Sequence, residues 1–215
     1  MNIGIFNFKG GVGKTFLASH ILMGLAEMKK KVLGIDVDPQ GDLMKWVSGW
    51  KWNKEKTLSA VGVDLIWGAH PDNEERGFDI PDGYETVIID GRPSLDTLSF
   101  LMDMIDSVIV PVKGRLSFEA SMELRAAIEG INPKIKVFII RNEMLPQRVV
   151  ASREEIDWLG SSGINIFEFG IQRSVRVRQA ETEGKAIWNL RWGERSAVTQ
   201  AIRSICRHIA AGNLK

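Results

Sequence analysis

Short runs of apolar residues alternate along the chain with longer stretches in which apolar residues recur every three or four positions. The short runs predict β-strands at 3–8, 31–36, 63–67, 86–90, 107–112 and 136–141. The longer stretches predict helices at 14–28, 94–104, 117–129, 149–161, 174–183 and 194–210. Several strand runs are almost continuously apolar, as in parallel strands buried on both faces. The alternation therefore predicts an α/β fold: a doubly wound, mostly parallel sheet with helices on both faces.

The chain of 215 residues can bury one sizeable core, and no stretch has the composition of an interdomain linker. We therefore expect a single domain over 1–215. No apolar run is long enough to cross a bilayer, and the apolar start is too short for a signal peptide. Cys206 is the single cysteine, which excludes disulfide pairing and all-cysteine metal sites within one chain. These features favour a cytoplasmic protein.

Charge is unevenly distributed, although the net charge is only +1. From Ile171 to Lys215, nine Lys and Arg residues stand against three acids, so this segment carries +6 and the rest of the chain −5. A basic segment of this kind fits a polyanionic partner. It equally fits a solvated basic face on the terminal helices, and the sequence leaves both interpretations open.

A glycine-rich loop joins the first predicted strand to the first predicted helix. Glycines in such a loop let successive backbone N–H groups turn toward a phosphate, and the helix adds its positive end. Lys14 is placed to reach the β- and γ-phosphates of a nucleotide, and the Thr15 hydroxyl to bind Mg²⁺. The alternative is a tight strand-to-helix turn with incidental lysines. The predicted nucleotide-binding residues of the loop are Lys9, Gly10, Gly11, Val12, Gly13, Lys14, Thr15 and Phe16.

Lys9 precedes the glycine pair, and Phe8 stands where an ordinary Walker A loop has its first glycine. This arrangement resembles the deviant Walker A ATPases, the ParA/MinD family. The resemblance implies a P-loop NTPase fold and a Mg²⁺-dependent ATPase of weak intrinsic turnover, with ATP and Mg²⁺ as cofactors. It implies that Lys9 and Lys14 are catalytic, with Lys9 reaching the ATP of the second copy in an ATP-dependent homodimer. The family often has a hydroxyl residue where this chain has Phe16, so one α-phosphate contact is expected to be missing.

Three carboxylates follow predicted strands that end beside this loop. Asp36 and Asp38 are two positions apart, which places them on one side of the strand end. The stretch 34–41 resembles the second signature of the ParA branch, which assigns Asp38 to positioning the attacking water and Asp36 to the surroundings of Mg²⁺. Asp90 ends an apolar run of Walker B form and is expected to bind Mg²⁺ through water, together with Thr15. The alternative for Asp36 and Asp38 is that they cap the next turn.

Asn142 follows the predicted strand 136–141, where the family often has an asparagine that reads the adenine edge. The resemblance makes Asn142 a candidate for base binding, although a lone asparagine at a strand end also fits a turn. Arg92 replaces the first proline of the family's Asp-x-Pro-Pro pattern after Asp90. Three roles stay open for Arg92: sensing the γ-phosphate, contacting a partner subunit, or facing solvent.

The resemblance implies a positioning ATPase of ParA type that segregates plasmids, chromosomes or other cargo. Such proteins dimerise with ATP, bind duplex DNA non-specifically and are released when an adaptor of ParB or centromere-binding type stimulates hydrolysis. Only Met1 and Asn2 precede the first strand, which resembles the small ParA proteins without an operator-binding arm. The expected location is the cytoplasm, with nucleoid association in the ATP state. Non-specific binding needs only basic side chains aimed at phosphates, and the candidates are Arg191, Arg195, Arg203 and Arg207.

A MinD-like membrane ATPase is the main alternative. Ala201, Ile205 and Ile209 form an apolar stripe beside arginines in the last predicted helix, as in amphipathic membrane helices. The stripe lacks large aromatic or leucine anchors, which favours a helix that packs on the core, so membrane binding is not expected. A metabolic role is a further alternative. Relatives of the nitrogenase iron protein need cysteines that are absent here, and small-substrate ligases of similar fold usually lack the early lysine.

Overall fold

The structure, a computed structural model, describes residues 1–69, 78–92, 94–144 and 164–214. The strands are β1 Asn2–Ile5, β2 Val32–Asp36, β3 Thr57–Ala60, β4 Val63–Trp67, β5 Thr86–Asp90, β6 Ser107–Val112, β7 Lys136–Arg141 and β8 Asn165–Ile166. The helices are α1 Lys14–Glu27, α2 Asp42–Val47, α3 Leu95–Leu101, α4 Gly114–Ile131, α5 Val175–Glu183 and α6 Ala197–Ala210, with a 3₁₀ turn at Ile187–Asn189. None of the described helices is both long and apolar enough to span a bilayer.

The eight strands form one sheet in the order β3-β4-β2-β5-β1-β6-β7-β8. All neighbouring strands are parallel except β3 and β4, which form an antiparallel hairpin at one edge. Every residue of β2, β5 and β6 is buried, because helices cover both faces of the sheet. The predicted doubly wound α/β fold is confirmed.

Two hydrophobic layers enclose the sheet. One layer combines α1, α2 and α6 with inward residues such as Ile3, Ile88 and Ile109. The opposite layer combines α3 and α4 with residues such as Ile89 and Val108. Adjacent strand residues thus point into different layers, as the alternation of side chains along a strand requires.

The differences from the predicted elements have local causes. The edge strand β3 was not predicted; it is joined to β4 by Val61 and Gly62, both with positive φ (48° and 79°), as in a two-residue hairpin turn. The last helix begins at Ala197 instead of residue 194, because Ser196 caps it by accepting a hydrogen bond from the backbone N–H of Thr199 at 3.2 Å. The predicted helix 149–161 lies outside the described residues.

The apolar stripe of α6 faces the protein interior. Ala201, Ile205 and Ile209 are all buried, and the helix packs on α1, where the Cys206 thiol lies against the Ile21 carbonyl oxygen at 3.7 Å. This stripe is therefore part of the core and is not free to enter a membrane. The expectation that the last helix packs on the core is confirmed.

Candidate nucleotide site

The loop between β1 and α1 forms an open cradle. Gly11 and Gly13 have positive φ (71° and 94°), a backbone conformation that L side chains rarely adopt. A Cβ atom added at Gly10 or Gly11 would meet no atom within 4 Å, so the outer rim of the loop borders open space. The helix α1 begins at Lys14, directly after Gly13, and its positive end therefore points toward this space. The loop thus combines glycine backbone, a helix N-terminus and open space, which are the features of a phosphate-binding loop.

The two lysines of the loop occupy different environments. Lys14 is half-buried, and its Nζ donates a hydrogen bond to the Lys9 carbonyl oxygen at 3.2 Å. Burial lowers the pKa of Lys14, while the charges of Asp90 and Asp38 act in the opposite direction. The Lys9 side chain is exposed, and within the described part of the chain its ammonium group forms no ion pair. Lys14 thus faces the inside of the site, and Lys9 is available to a group outside the protomer.

Asp36 and Asp90 are direct neighbours, because they end the adjacent parallel strands β2 and β5 in register. Both side chains are buried. Burial raises the pKa of Asp36 to about 7, although three backbone N–H groups donate to its carboxylate. Burial also raises the pKa of Asp90 well above its usual range, and the charge of Asp36 raises it further. A buried pair of like charges of this kind is costly unless a cation lies beside it.

Asp90 and Thr15 fit a magnesium ion. Asp90 Oδ1 is buried and has no hydrogen-bond partner among the described residues, while the Thr15 side chain forms a hydrogen bond with this carboxylate. A hydroxyl and an unpaired carboxylate oxygen are the hard oxygen donors that Mg²⁺ prefers. No group of three or more His, Cys, Asp or Glu side chains in the described part of the chain forms a complete metal site. The nucleotide phosphates and water would therefore supply the remaining ligands.

The carboxylate of Asp36 is held by backbone hydrogen bonds. Its Oδ1 accepts from the Asp38 backbone N–H at 3.0 Å, and its Oδ2 accepts from the N–H groups of Leu43 and Met44 at 2.9 and 3.3 Å. These bonds fix the segment after β2 and the first turn of α2. The predicted place of Asp36 beside Mg²⁺ stays a prediction. The hydrogen bonds show that it holds Asp38 in position.

Asp38 lies at the mouth of the site and is half-buried. Its Oδ1 accepts from the Gln40 backbone N–H at 2.9 Å, and its carbonyl oxygen accepts from the Trp67 indole at 3.1 Å. Its charge raises the pKa of Lys14, so the two side chains interact electrostatically. The role of Asp38 in positioning the attacking water stays a prediction.

Asn142 contacts the loop itself. Its Nδ2 donates to the Val12 carbonyl oxygen at 2.8 Å, and its Oδ1 accepts from the Glu143 backbone N–H at 2.9 Å. A Cβ atom at Gly13 would lie 2.3 Å from Asn142 Nδ2, so the close approach requires glycine there. One Nδ2 hydrogen bond and one Oδ1 hydrogen bond of the amide go to backbone groups, and through Val12 the side chain supports the phosphate loop. The prediction that this amide reads the adenine edge stays a prediction.

Comparison with known proteins decides the family. A model of the CobQ/CobB/MinD/ParA nucleotide binding domain matches residues 3–187. The chain belongs to this family. The "Maintenance of carboxysome distribution protein A" of Halothiobacillus neapolitanus is 28% identical over 204 residues, which covers 92% of this chain and 91% of that protein. The "Chromosome-partitioning ATPase Soj" of Thermus thermophilus is 30% identical, with 86% of each chain covered.

Solved structures agree on the fold. The MinC:MinD cell division protein complex of Aquifex aeolicus matches with a TM-score of 0.73 at 19% identity, covering 98% of this chain and 95% of that one. The resemblance to the ParA/MinD family is therefore confirmed, and the loop Lys9–Thr15 belongs to a nucleotide-binding domain with a P-loop NTPase fold. Membership in this ATPase family implies ATP hydrolysis as the enzymatic class.

Phe16 departs from the family pattern in a defined way. Its ring is buried and lies 4.4 Å from the His20 ring and 6.1 Å from the Trp46 ring, measured between centroids. The side chain therefore points into the core beneath the loop, and only its backbone N–H remains for a phosphate. Arg92, the other departure, is exposed. That exposure leaves all three roles open for Arg92: sensing the γ-phosphate, contacting a partner subunit, or facing solvent.

Asn7 was not identified from the sequence. It is buried at the end of β1, where its Nδ2 donates to the carbonyl oxygens of Pro111 and Ser117 at 3.0 and 3.2 Å. Its Oδ1 accepts from the Lys9 backbone N–H at 2.8 Å. Asn7 thus anchors the first residue of the loop to β6 and α4. A single polar residue inside the apolar run 3–8 was the signal that could have revealed it.

The four arginines predicted to bind DNA are not equivalent. Arg191, Arg195 and Arg207 are exposed. Arg203 is only half-exposed, donates to both carboxylate oxygens of Glu194 at 2.5 and 3.1 Å, and lies 3.6 Å from Glu27. Arg203 is therefore ion-paired within the protein, unlike the other three in the described part of the chain. DNA binding by all four arginines stays a prediction.

Proposed function

We propose that this protein is an ATP-dependent dimerising ATPase that positions plasmid or chromosomal DNA, or other cargo, by binding duplex DNA non-specifically. The observation that carries the proposal is the exposed Lys9 at the rim of an otherwise complete phosphate site. Lys14, Thr15 and Asp90 already supply the inner cation and the magnesium donors. We infer that this additional, outward-facing lysine binds a nucleotide held by a second copy. Partner-stimulated hydrolysis then completes the cycle.

The residues of the site have separable tasks in this proposal. The glycine loop and the start of α1 orient the phosphates, and Lys14 exchanges its hydrogen bond to the Lys9 carbonyl for one to a phosphate oxygen. Thr15 and Asp90 would hold Mg²⁺, which neutralises charge on the phosphates during transfer. Asp38 orients the attacking water, and Asp36 keeps Asp38 in place through its backbone N–H.

DNA is the proposed partner of the basic C-terminal region. Arg191, Arg195 and Arg207 are exposed and have no acidic partner in the described structure, so they are available to phosphates. The names of the relatives, which refer to carboxysome distribution and chromosome partitioning, support positioning as the biological class. An adaptor of ParB or centromere-binding type is the proposed stimulator of hydrolysis.

The test of the dimer uses Lys9→Ala, with the exposed Lys51→Ala as a matched control. Sedimentation with ATP and Mg²⁺ is expected to show a dimer for the wild type and Lys51→Ala, and a monomer that still binds ATP for Lys9→Ala. A normal ATP-dependent dimer of Lys9→Ala would refute the role of Lys9.

The test of DNA binding uses random-sequence duplex DNA with ATP, with ADP and without nucleotide, across a salt series. Binding with ATP alone, falling steeply with salt, is the expected result. Absence of binding in all three states would refute the DNA part of the proposal, and anionic vesicles would then be tested as the alternative surface.

A further inference from the structure

The most exposed aromatic side chain in the described structure belongs to the basic C-terminal region. Trp192 is 63% exposed, whereas most of the large apolar residues around it are buried. Its neighbour Arg191 lies with its guanidinium carbon 5.7 Å from the centre of the indole ring. Tryptophan and arginine are enriched among the residues that contribute most to binding, so an exposed tryptophan beside an arginine is a candidate contact.

Close packing and hydrogen bonds define the turn that carries Trp192. Gly193 is buried, and a Cβ atom there would lie 1.7 Å from the Ile187 carbonyl oxygen. The Gly193 N–H donates to the Leu190 carbonyl oxygen at 2.9 Å, and its own carbonyl accepts from the Thr199 hydroxyl at 2.7 Å. Trp192 itself has a φ of 62°. These contacts hold the turn in a conformation that exposes the indole to solvent.

The charge around this turn is positive. Arg191 and Arg195 flank Trp192 and are both exposed, while the acid between them, Glu194, is already paired with Arg203. A polyanion therefore meets two uncompensated cations beside an aromatic ring. Arginine and an aromatic platform side by side are the groups that bind phosphates and stack on nucleic-acid bases, respectively.

We propose that the turn 190–196 is a DNA contact in which Trp192 stacks on a base while Arg191 and Arg195 bind flanking phosphates. The inference rests on the proposed DNA-binding function and adds a contact that arginines alone do not provide. Because base faces are covered in an intact duplex, inserting the indole there requires unstacking. The contact therefore favours DNA in which a base face is already open, such as a duplex with a short single-stranded gap.

The test compares an intact duplex with a gapped duplex of the same sequence, in the presence of ATP and Mg²⁺. The wild type is expected to bind the gapped duplex more tightly than the intact one, and Trp192→Ala is expected to lose that preference. The affinity of this variant for the gapped duplex should fall about tenfold for each Trp192 side chain that stacks on a base. Trp192→Phe, which keeps an aromatic face, is expected to retain most of the preference. Ile131→Ala removes an exposed apolar side chain on α4 and serves as the control.

The salt dependence separates the two kinds of contact. Arg195→Gln removes a phosphate contact and is expected to reduce the slope of log affinity against log salt concentration by about 0.9. Trp192→Ala removes a stacking contact and is expected to lower the affinity at every salt concentration without changing that slope. Wild-type affinity and preference in Trp192→Ala would overturn the inference while leaving the proposed function intact. The inference would also be overturned if Trp192→Ala lost binding to anionic vesicles while its DNA binding stayed at the wild-type level. If the wild type binds no DNA in any nucleotide state, the proposed function itself fails.

Discussion

His20 is expected to make the protein lose stability in mild acid. The ring is completely buried beneath the phosphate loop, with Nδ1 2.9 Å from the Phe16 carbonyl oxygen and Nε2 accepting from the Ile187 backbone N–H at 3.1 Å. A neutral ring with its proton on Nδ1 satisfies both contacts. Protonation of Nε2 would place two N–H groups against each other. The ring therefore joins α1 to a segment 167 positions away in its neutral form.

The magnitude follows from the pKa. Burial lowers the pKa of His20 from 6.5 to about 4, and the contact with the Phe16 carbonyl only partly offsets it. Above pH 6.5 the ring is neutral in both the folded and the unfolded chain and contributes no pH dependence. As the pH falls through 6.5, only the unfolded chain gains the proton, so the free energy of unfolding declines until about pH 4. The expected loss is about 2 kcal/mol at pH 5 and about 3 kcal/mol in total.

The assay is urea unfolding at pH 7.5 and pH 5.0 for the wild type and for His20→Gln, with the exposed His208→Gln as control. His20→Gln is expected to be less stable at pH 7.5, because the Ile187 N–H loses its acceptor. It should approach or exceed the wild type at pH 5.0, because the titrating group is gone. Carboxylate titration is common to all three proteins and cancels. An equal stability difference at both pH values would refute the reasoning.

Other substitutions test the nucleotide site. Asp90→Asn is expected to stabilise the ligand-free protein by about 1 to 3 kcal/mol at pH 8, because the raised pKa values of Asp36 and Asp90 mean that ionisation of this buried pair opposes folding as the pH rises. The same substitution is expected to abolish the stabilisation of the protein by Mg²⁺ with ATP. Thermal unfolding with and without ligand measures both effects. Asn142→Ala should weaken ATP binding about tenfold in calorimetry by leaving the Val12 carbonyl unpaired, an effect contradicted by wild-type affinity. Asp38→Ala should leave a persistent ATP dimer, and unchanged turnover would contradict it. Lys14→Ala should lose nucleotide binding, and full ATPase activity would disprove the site assignment.

Local pattern was sufficient to predict most of the fold. The run Val87–Ile89 is continuously apolar and is followed by Asp90, which predicted both a buried strand and a candidate magnesium ligand at its end. The glycine spacing from Gly10 to Gly13 likewise identified the loop, because few side chains tolerate those backbone angles. Such features depend on residues that are close in the sequence.

Contacts between distant residues could not be predicted in this way. Asn142 meets Val12 across 130 positions, so its support of the loop appears only once β7 lies near β1 in the folded sheet. The ion pair of Arg203 with Glu27 likewise joins α6 to α1, and residue spacing along α6 gives no sign of it. Contacts of this kind follow only from the packing of the two helices against each other.

The hydrogen bonds that the Asp36 carboxylate accepts join the end of β2 to the start of α2. Trp46 on α2 reaches the Lys185 carbonyl oxygen at 3.3 Å, and Trp50 just beyond reaches the Glu181 carbonyl oxygen at 2.7 Å. A displacement of Asp38 would therefore pull on the end of α5 through two indole rings. We therefore expect tryptophan emission to change when the phosphate site is occupied, because Trp46 and Trp50 both lie in this connection.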